Sequence, residues 1–155
     1  RTAHNNRFYL NQSELYEDSI RKDVKGIQMR KELGLYGKDE EYFLSALNQL
    51  LPISRLHNTM FIPMIESQGT SAQREYWLPL ARDYKIIGTY AQTELGHGSY
   101  IRGLETTATY DVQTQEWVLD SPTLTSTKWW PGGLGKTATH AVVMSQLITN
   151  GQRYG

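Results

Sequence analysis

Apolar side chains recur at Tyr16, Ile20, Val24 and Ile27, at intervals of four, four and three. That spacing puts one apolar stripe on a helix whose other face carries Arg21, Lys22, Asp23 and Lys25. Gly34 is its expected stop. Asp39, Glu40 and Glu41 supply negative charge where a second helix begins, and Phe43, Leu47, Leu50 and Leu51 continue it until Pro52. Leu56, Met60 and Met64 predict a third apolar face, which Pro63 must kink or divide because proline cannot donate the ladder hydrogen bond. Thr70 followed three residues later by Gln73 fits a capping box. A short fourth helix is expected to follow it and to end near Pro79.

From Lys85 the period changes. Ile86, Ile87, Thr89, Tyr90 and Ala91 read as a strand feeding the turn Gly96, His97, Gly98. Thr106 to Tyr110 and Glu116 to Leu119 predict two more strands, separated by the polar turn Asp111 to Gln115. Thr123 to Trp130 is a further β candidate, interrupted by the loop Pro131 to Gly135, and Thr139 to Ile148 resumes it. Asn150-Gly151 then favours a tight hairpin turn.

Composition marks a boundary in the same place. Residues 1–88 hold 23 charged residues and 3 Thr, whereas residues 89–155 hold 9 charged residues and 12 Thr. Long charged stems suit helix surfaces, while β-branched Thr suits a pleated sheet. The balance of 16 basic and 16 acidic residues lacks the clustered cations of a nucleic-acid binder. No apolar run approaches the roughly 18 residues of a membrane span. Without cysteine there is neither a disulfide framework nor a thiolate zinc site, and four His offer little metal chemistry. The chain starts at Arg1 rather than Met and stops at Gly155 after a strand-like run, so it is expected to be a fragment.

Gly132-Gly133-Leu134-Gly135-Lys136-Thr137 imitates the end of a phosphate-binding P-loop. The motif requires a glycine five positions before its Gly-Lys-Thr end, but Trp130 stands there, and β-like Ala141-Val142-Val143 replaces the required helix. The glycines let the backbone approach a ligand closely or merely let a loop turn. Trp129-Trp130 can present one ring to each side of a strand, one in the core and one over a flat ligand, or both can be core. Glu94 and His97 make neither a metal site nor a catalytic unit, and structural or backbone-orienting roles are favoured. His57 and His140 are isolated.

Three longer strings carry a resemblance. Tyr90-Ala91-Gln92-Thr93-Glu94-Leu95-Gly96-His97-Gly98-Ser99, then Arg102-Gly103-Leu104-Glu105-Thr106-Thr107-Ala108-Thr109-Tyr110-Asp111, closely resemble peroxisomal acyl-CoA oxidases. So does Lys128-Trp129-Trp130-Pro131-Gly132-Gly133-Leu134-Gly135-Lys136-Thr137, in the family's order and separation. Weaker similarity, including Gly69-Thr70 and Gln73 through Pro79, extends back across the helical half. The related acyl-CoA dehydrogenases typically have proline at the Leu95 position and aspartate at that of Tyr100.

The resemblance implies an α+β fragment. Residues 1–88 form an N-terminal helical domain, residues 89–155 form an incomplete part of an antiparallel β-barrel domain, and the C-terminal helical domains are absent. It implies FAD as cofactor, with Thr93 and Gly132 as flavin contacts, Gln92 and Trp130 flanking them, and Ser99 as a substrate contact. Arg102 serves a phosphate, an internal carboxylate or structure alone. The implied parent is a homodimeric peroxisomal enzyme that converts fatty acyl-CoA and molecular oxygen to trans-2-enoyl-CoA and hydrogen peroxide. Its catalytic glutamate lies beyond Gly155, so no catalytic residue is assigned here. An acyl-CoA dehydrogenase with an electron-transfer partner, or a noncatalytic acyl-CoA-binding module, are the alternatives.

Overall fold

The computed structural model describes residues 6–35, 37, 39, 42–43 and 54–155. These divide into two compact units, residues 1–55 and 56–155.

In the first unit a 3-10 turn, Asn6–Tyr9, leads to helix α1, Gln12–Leu33. Asn11 caps it by a reciprocal box: its side chain accepts the Glu14 N–H at 3.0 Å and its own N–H donates to Glu14 Oε2 at 2.8 Å. Gly34 ends the helix as expected, in the left-handed conformation at φ 62°. The expected stripe is not the deepest face. Val24 is 47% exposed, whereas Asp23, Gly26 and Arg30 are buried. A polar partner explains the rotation, since Asp23 Oδ2 accepts the Ser54 N–H at 2.9 Å. Of the second predicted helix, Asp39, Tyr42 and Phe43 are helical; Leu47, Leu50, Leu51 and Pro52 lie outside the described residues.

The second unit begins with a π-helical turn, His57–Phe61, that runs into helix α2, Ile62–Gln68. Pro63 stands just after the junction, in the first turn of α2, and the backbone runs helically across it from the π-helical turn. The buried residues are His57 and Phe61; Met60, expected on the apolar face, is 40% exposed. Helix α3, Ser71–Arg82, opens on the expected box, with Gln73 N–H to Thr70 Oγ1 at 3.2 Å and Thr70 N–H to Gln73 Oε1 at 2.9 Å. It continues through Pro79 instead of stopping there. One more turn buries Ala81 and packs Leu80 on the core of Phe61, Ala81 and Ile86, and that burial offsets the hydrogen bond that proline removes.

His57 is fully buried and ties the helices to the first strand. Its Nε2 donates to the Ala81 carbonyl and its Nδ1 accepts the Gly88 N–H, both at 2.9 Å, which fixes the neutral tautomer. Burial pushes its pKa below the ordinary histidine value, against the Ala81 hydrogen bond. Phe61 lies directly over Gly88, where a Cβ would come within 2.0 Å of the ring.

Six strands follow: β1 Gly88–Ala91, β2 Thr107–Asp111, β3 Glu116–Asp120, β4 His140–Val143, β5 Gln146–Thr149 and β6 Gln152–Arg153. β1 pairs with β4 in parallel, and a second sheet has the order β3-β2-β5-β6, parallel between β2 and β5 and antiparallel elsewhere. Among the described residues the two-stranded sheet is thus parallel and the four-stranded one mixed, and they do not close into a barrel. The predicted strand 123–130 is absent. Thr123 and Ser126 spend their hydroxyls on each other's backbone, with Ser126 N–H on Thr123 Oγ1 at 3.0 Å and Thr123 N–H on Ser126 Oγ at 2.9 Å. Such local bonds compete with a ladder. The predicted strand 139–148 splits at Met144-Ser145 into β4 and β5 of different sheets. Asn150 (φ 50°) and Gly151 (φ 72°) form the expected hairpin turn between the paired Thr149 and Gln152.

The close approach at Gly88 yields a test. Gly88→Ala is expected to cost about 1–3 kcal/mol by overpacking against Phe61. Gly98→Ala, with open space at its Cβ position, is expected to cost less than about 1 kcal/mol, both read from urea unfolding.

Candidate functional site

Gln92 and Thr93 follow the C-terminal end of β1, and the segment 127–132 runs antiparallel beside them. The Leu95 N–H donates to the Thr127 carbonyl, the Trp129 N–H donates to the Thr93 carbonyl, both at 2.9 Å, and Thr89 Oγ1 donates to the Gly132 carbonyl at 2.8 Å. These bonds bring Gln92, Thr93, Trp130 and Gly132 into one strip. Among the described residues no hydrogen bond engages the Thr93 hydroxyl or its N–H. Both tryptophans are exposed, Trp130 by 79%, so neither is the core residue that the sequence allowed. Trp130 is also held at φ 51°, in the left-handed region that bulky residues avoid. Such strain persists only where the surroundings over-determine it, and it concentrates at ligand sites.

The glycine loop does not cradle phosphate. The N–H groups of Lys136, Thr137 and Ala138 all converge on the Gly133 carbonyl at 3.0 Å, so they are spent on the turn. Gly133 and Gly135 supply its left-handed residues, at φ 77° and 76°. Gly132 is exposed and packs beside Leu56.

Ser99 is not joined to this strip by any hydrogen bond of the described residues. It sits in the exposed segment before the 3-10 turn Ile101–Gly103, where its carbonyl accepts the Ile101 N–H at 3.0 Å. Arg102 is exposed, and its carbonyl accepts from Gln146 Nε2 at 3.2 Å. Among the described residues no group of three or more His, Asp or Glu converges as metal ligands do.

Glu94 orients backbone, one of the two roles favoured from sequence. It is 2% exposed, and its carboxylate accepts the Glu105 N–H at 2.7 Å, the Thr106 N–H at 2.9 Å and Lys128 Nζ at 3.0 Å. Burial alone would raise its pKa; the hydrogen bonds from Glu105, Thr106 and Lys128 outweigh it and hold the carboxyl down to about 2. His97 Nε2 donates to Glu105 Oε1 at 3.0 Å. Glu105 is held below the ordinary carboxylate range by hydrogen bonds from Thr123, His97 and Thr125. Lys128 went unnoticed in the sequence except as part of Lys-Trp-Trp. Its signal was its rarity, one of nine charges in the last 67 residues.

A separate cavity of about 310 Å³ opens between α2, α3 and β4, lined by Met64, Ile65, Gln68, Trp77, His140 and Val142 among others. None of the strip residues lines it. Its polar side chains are few, Gln73 is taken up by Thr70, and the Trp77 and His140 rings meet edge to face at 5.4 Å, so the strip remains the stronger candidate.

The profile of the acyl-coenzyme A oxidase N-terminal family matches residues 2–87. The chain is 51% identical over 155 residues to peroxisomal acyl-coenzyme A oxidase 1 of Cavia porcellus and 50% identical to that of Homo sapiens, covering 98% of this chain and 23% of each relative. Among solved structures, the acyl-CoA oxidase of Lycopersicon esculentum (tomato) superposes with a TM-score of 0.92 at 52% identity, over 96% of this chain and 23% of that one. Acyl-CoA oxidase-1 of Caenorhabditis elegans complexed with FAD and ATP superposes at 0.84 and 42%, over 95% and 23%. The chain thus spans about a quarter of the length of these relatives.

The depressed Glu94 pKa has a signed consequence. A carboxyl lowered on folding from 4.5 to about 2 adds stability above pH 4.5 that is lost as pH falls toward 2. The unfolding free energy of the wild type should exceed that of Glu94→Gln by a few kcal/mol near neutral pH. That difference should shrink steadily between pH 4.5 and 2, as measured by urea titration. A difference independent of pH would disprove the assignment.

Proposed function

The chain belongs to the acyl-coenzyme A oxidase N-terminal family, and from that premise we propose that the protein carrying it is an FAD-dependent acyl-CoA oxidase of the peroxisome. Relatives named peroxisomal acyl-coenzyme A oxidase 1 match over nearly the whole of this chain at about half identity, which supports both the activity and the compartment. Within that protein we assign residues 1–88 to a helical domain and residues 89–155 to a β-barrel domain whose remaining strands lie outside this chain. A homodimer is part of the same proposal.

The observation that carries the flavin reading is the strip itself: an exposed Trp130 held in a strained backbone beside a Thr93 whose hydroxyl and N–H have no acceptor among the described residues. These groups fit a flat ring with a polar edge. Thr93 offers hydroxyl and main-chain donors to that edge, Trp130 offers an aromatic face, Gly132 lets main chain approach without a Cβ, and Gln92 completes the wall. Bound FAD supplies the acceptor for the hydride taken from Cβ of the acyl group and the route for its electrons to molecular oxygen. The protein contributes placement. Ser99 is assigned to contact the acyl-CoA, and the carboxylate base that removes the α proton is assigned outside this chain, since Glu94 and Glu105 are both committed to structural hydrogen bonds. Leu95 and Tyr100, at positions where the dehydrogenases typically carry proline and aspartate, favour the oxidase.

Oxygen uptake by the full-length protein supplied with FAD and a long-chain acyl-CoA should depend on both and yield hydrogen peroxide. Electrons passing to an artificial acceptor with no oxygen uptake would instead indicate a dehydrogenase. Thr93→Val, which keeps shape and removes the hydroxyl, should raise the FAD Kd about tenfold in a flavin fluorescence titration.

A further inference from the structure

Lys128 has no part in the reading above, yet it is the most heavily engaged side chain of the strip. Its side chain is 10% exposed, and its three ammonium hydrogens find three acceptors: the Gln92 carbonyl at 3.2 Å, Glu94 Oε1 at 3.0 Å and the Met144 carbonyl at 2.6 Å. Glu94, with a side chain 0% exposed, holds Lys128 from one side and the Glu105 and Thr106 N–H groups from the other. One ion pair therefore joins the exit of β1, the strip, the link between β4 and β5, and the entrance to β2.

The Gln92 contact bears directly on the wall. The peptide between Gln92 and Thr93 is trans, so the Gln92 carbonyl and the Thr93 N–H point in opposite directions across one plane. By drawing the carbonyl toward itself, Lys128 turns the Thr93 N–H away, to the side where no described group accepts it. The next peptide is locked too, because the Thr93 carbonyl receives the Trp129 N–H at 2.9 Å. Lys128 thus sets the direction of the Thr93 N–H, while the Trp129 N–H beside it sets the register of Trp130 and Gly132 against Thr93.

We propose that Lys128, braced by Glu94, is a positioning residue for the flavin wall: it orients the Gln92-Thr93 peptide so that the Thr93 N–H is presented to the polar edge of the ring. This inference rests on the FAD reading above. It differs from a purely structural role in what it changes, since a misdirected N–H alters the electronics of a bound flavin as well as its affinity.

The test uses the full-length FAD-loaded protein. Lys128→Met is expected to raise the FAD Kd about tenfold, the loss expected for one misdirected hydrogen bond, and to shift the visible flavin band of the fraction that stays bound. A folded Lys128→Met protein with wild-type Kd overturns the proposal, and so does a raised Kd with an unshifted band, which a merely loosened fold would produce. If Lys128→Met does not fold, Lys128→Arg decides: its planar guanidinium keeps the charge but cannot aim three donors from one nitrogen. A raised Kd with a shifted band is expected there too, and wild-type values overturn the proposal. The two readings fail separately. A wild type that binds no FAD removes both, whereas a Thr93→Val protein with weakened binding beside normal Lys128 variants removes only the positioning role.

Discussion

A buried ion pair, Glu94 with Lys128, is the constraint on which the strand half depends. Taking a carboxylate and an ammonium out of water costs several kcal/mol each, and their mutual attraction repays this only when the remaining hydrogen-bonding capacity is also met. Here it is met on both sides. Lys128 places all three hydrogens on oxygen, and Glu94 accepts two backbone N–H groups besides its partner. The pair gains little stability over an apolar replacement, yet losing one member strands a charge and several backbone groups at once. It acts as a device for specifying one arrangement of backbone.

β1 is only four residues long, Gly88–Ala91, and it is gripped at both ends by buried polar side chains. His57 takes the N–H of its first residue, and Lys128 takes the carbonyl of the residue just past its last. Between these grips the parallel ladder to β4 and the Thr89 hydroxyl on the Gly132 carbonyl hold its flanks. A strand this short has little intrinsic preference for its place, so side chains remote in sequence supply it. The Phe61 ring against Gly88 adds the steric half of the same constraint, because only glycine lets the helical core approach so closely.

What was legible in the sequence was what local chemistry decides. The Thr70-Gln73 box, the Gly34 stop and the Asn150-Gly151 turn each depend on neighbours in sequence, and each stands where expected. What was not legible depends on tertiary partners. The periodicity of α1 could not show that Asp23 would be buried by accepting the Ser54 N–H. Nor could the Thr-rich run 123–130 reveal that the Thr123 and Ser126 hydroxyls would bond its own backbone. His57 looked isolated because both of its partners are main-chain groups, 24 and 31 residues away, which no motif records. Gln92 and Thr93 were legible only as part of long strings resembling a family, while Trp130 and Gly132 also stood out as an aromatic pair and a glycine loop whose roles the residues alone left open. Their chemistry lies in backbone direction and exposure, and residue type alone carries neither.

The candidate residues also share a topological reason for their place. Parallel partners cannot be joined by a tight turn, so β1 and β4 require a crossover connection, and residues 92–139 are that connection. It contains one regular element pair, the β2–β3 hairpin, and around it the irregular segments 92–106 and 121–139. Irregular backbone leaves donors and acceptors outside ladders, which is costly unless they are satisfied or kept exposed for a ligand. Glu94, Thr123 and Ser126 satisfy backbone groups within these segments, whereas the half-buried Thr93 keeps its N–H without an acceptor among the described residues and Trp130 is exposed. One departure from expectation, the absent strand 123–130, falls in this crossover: with no α-helix to regularise it, the connection is held by buried side chains.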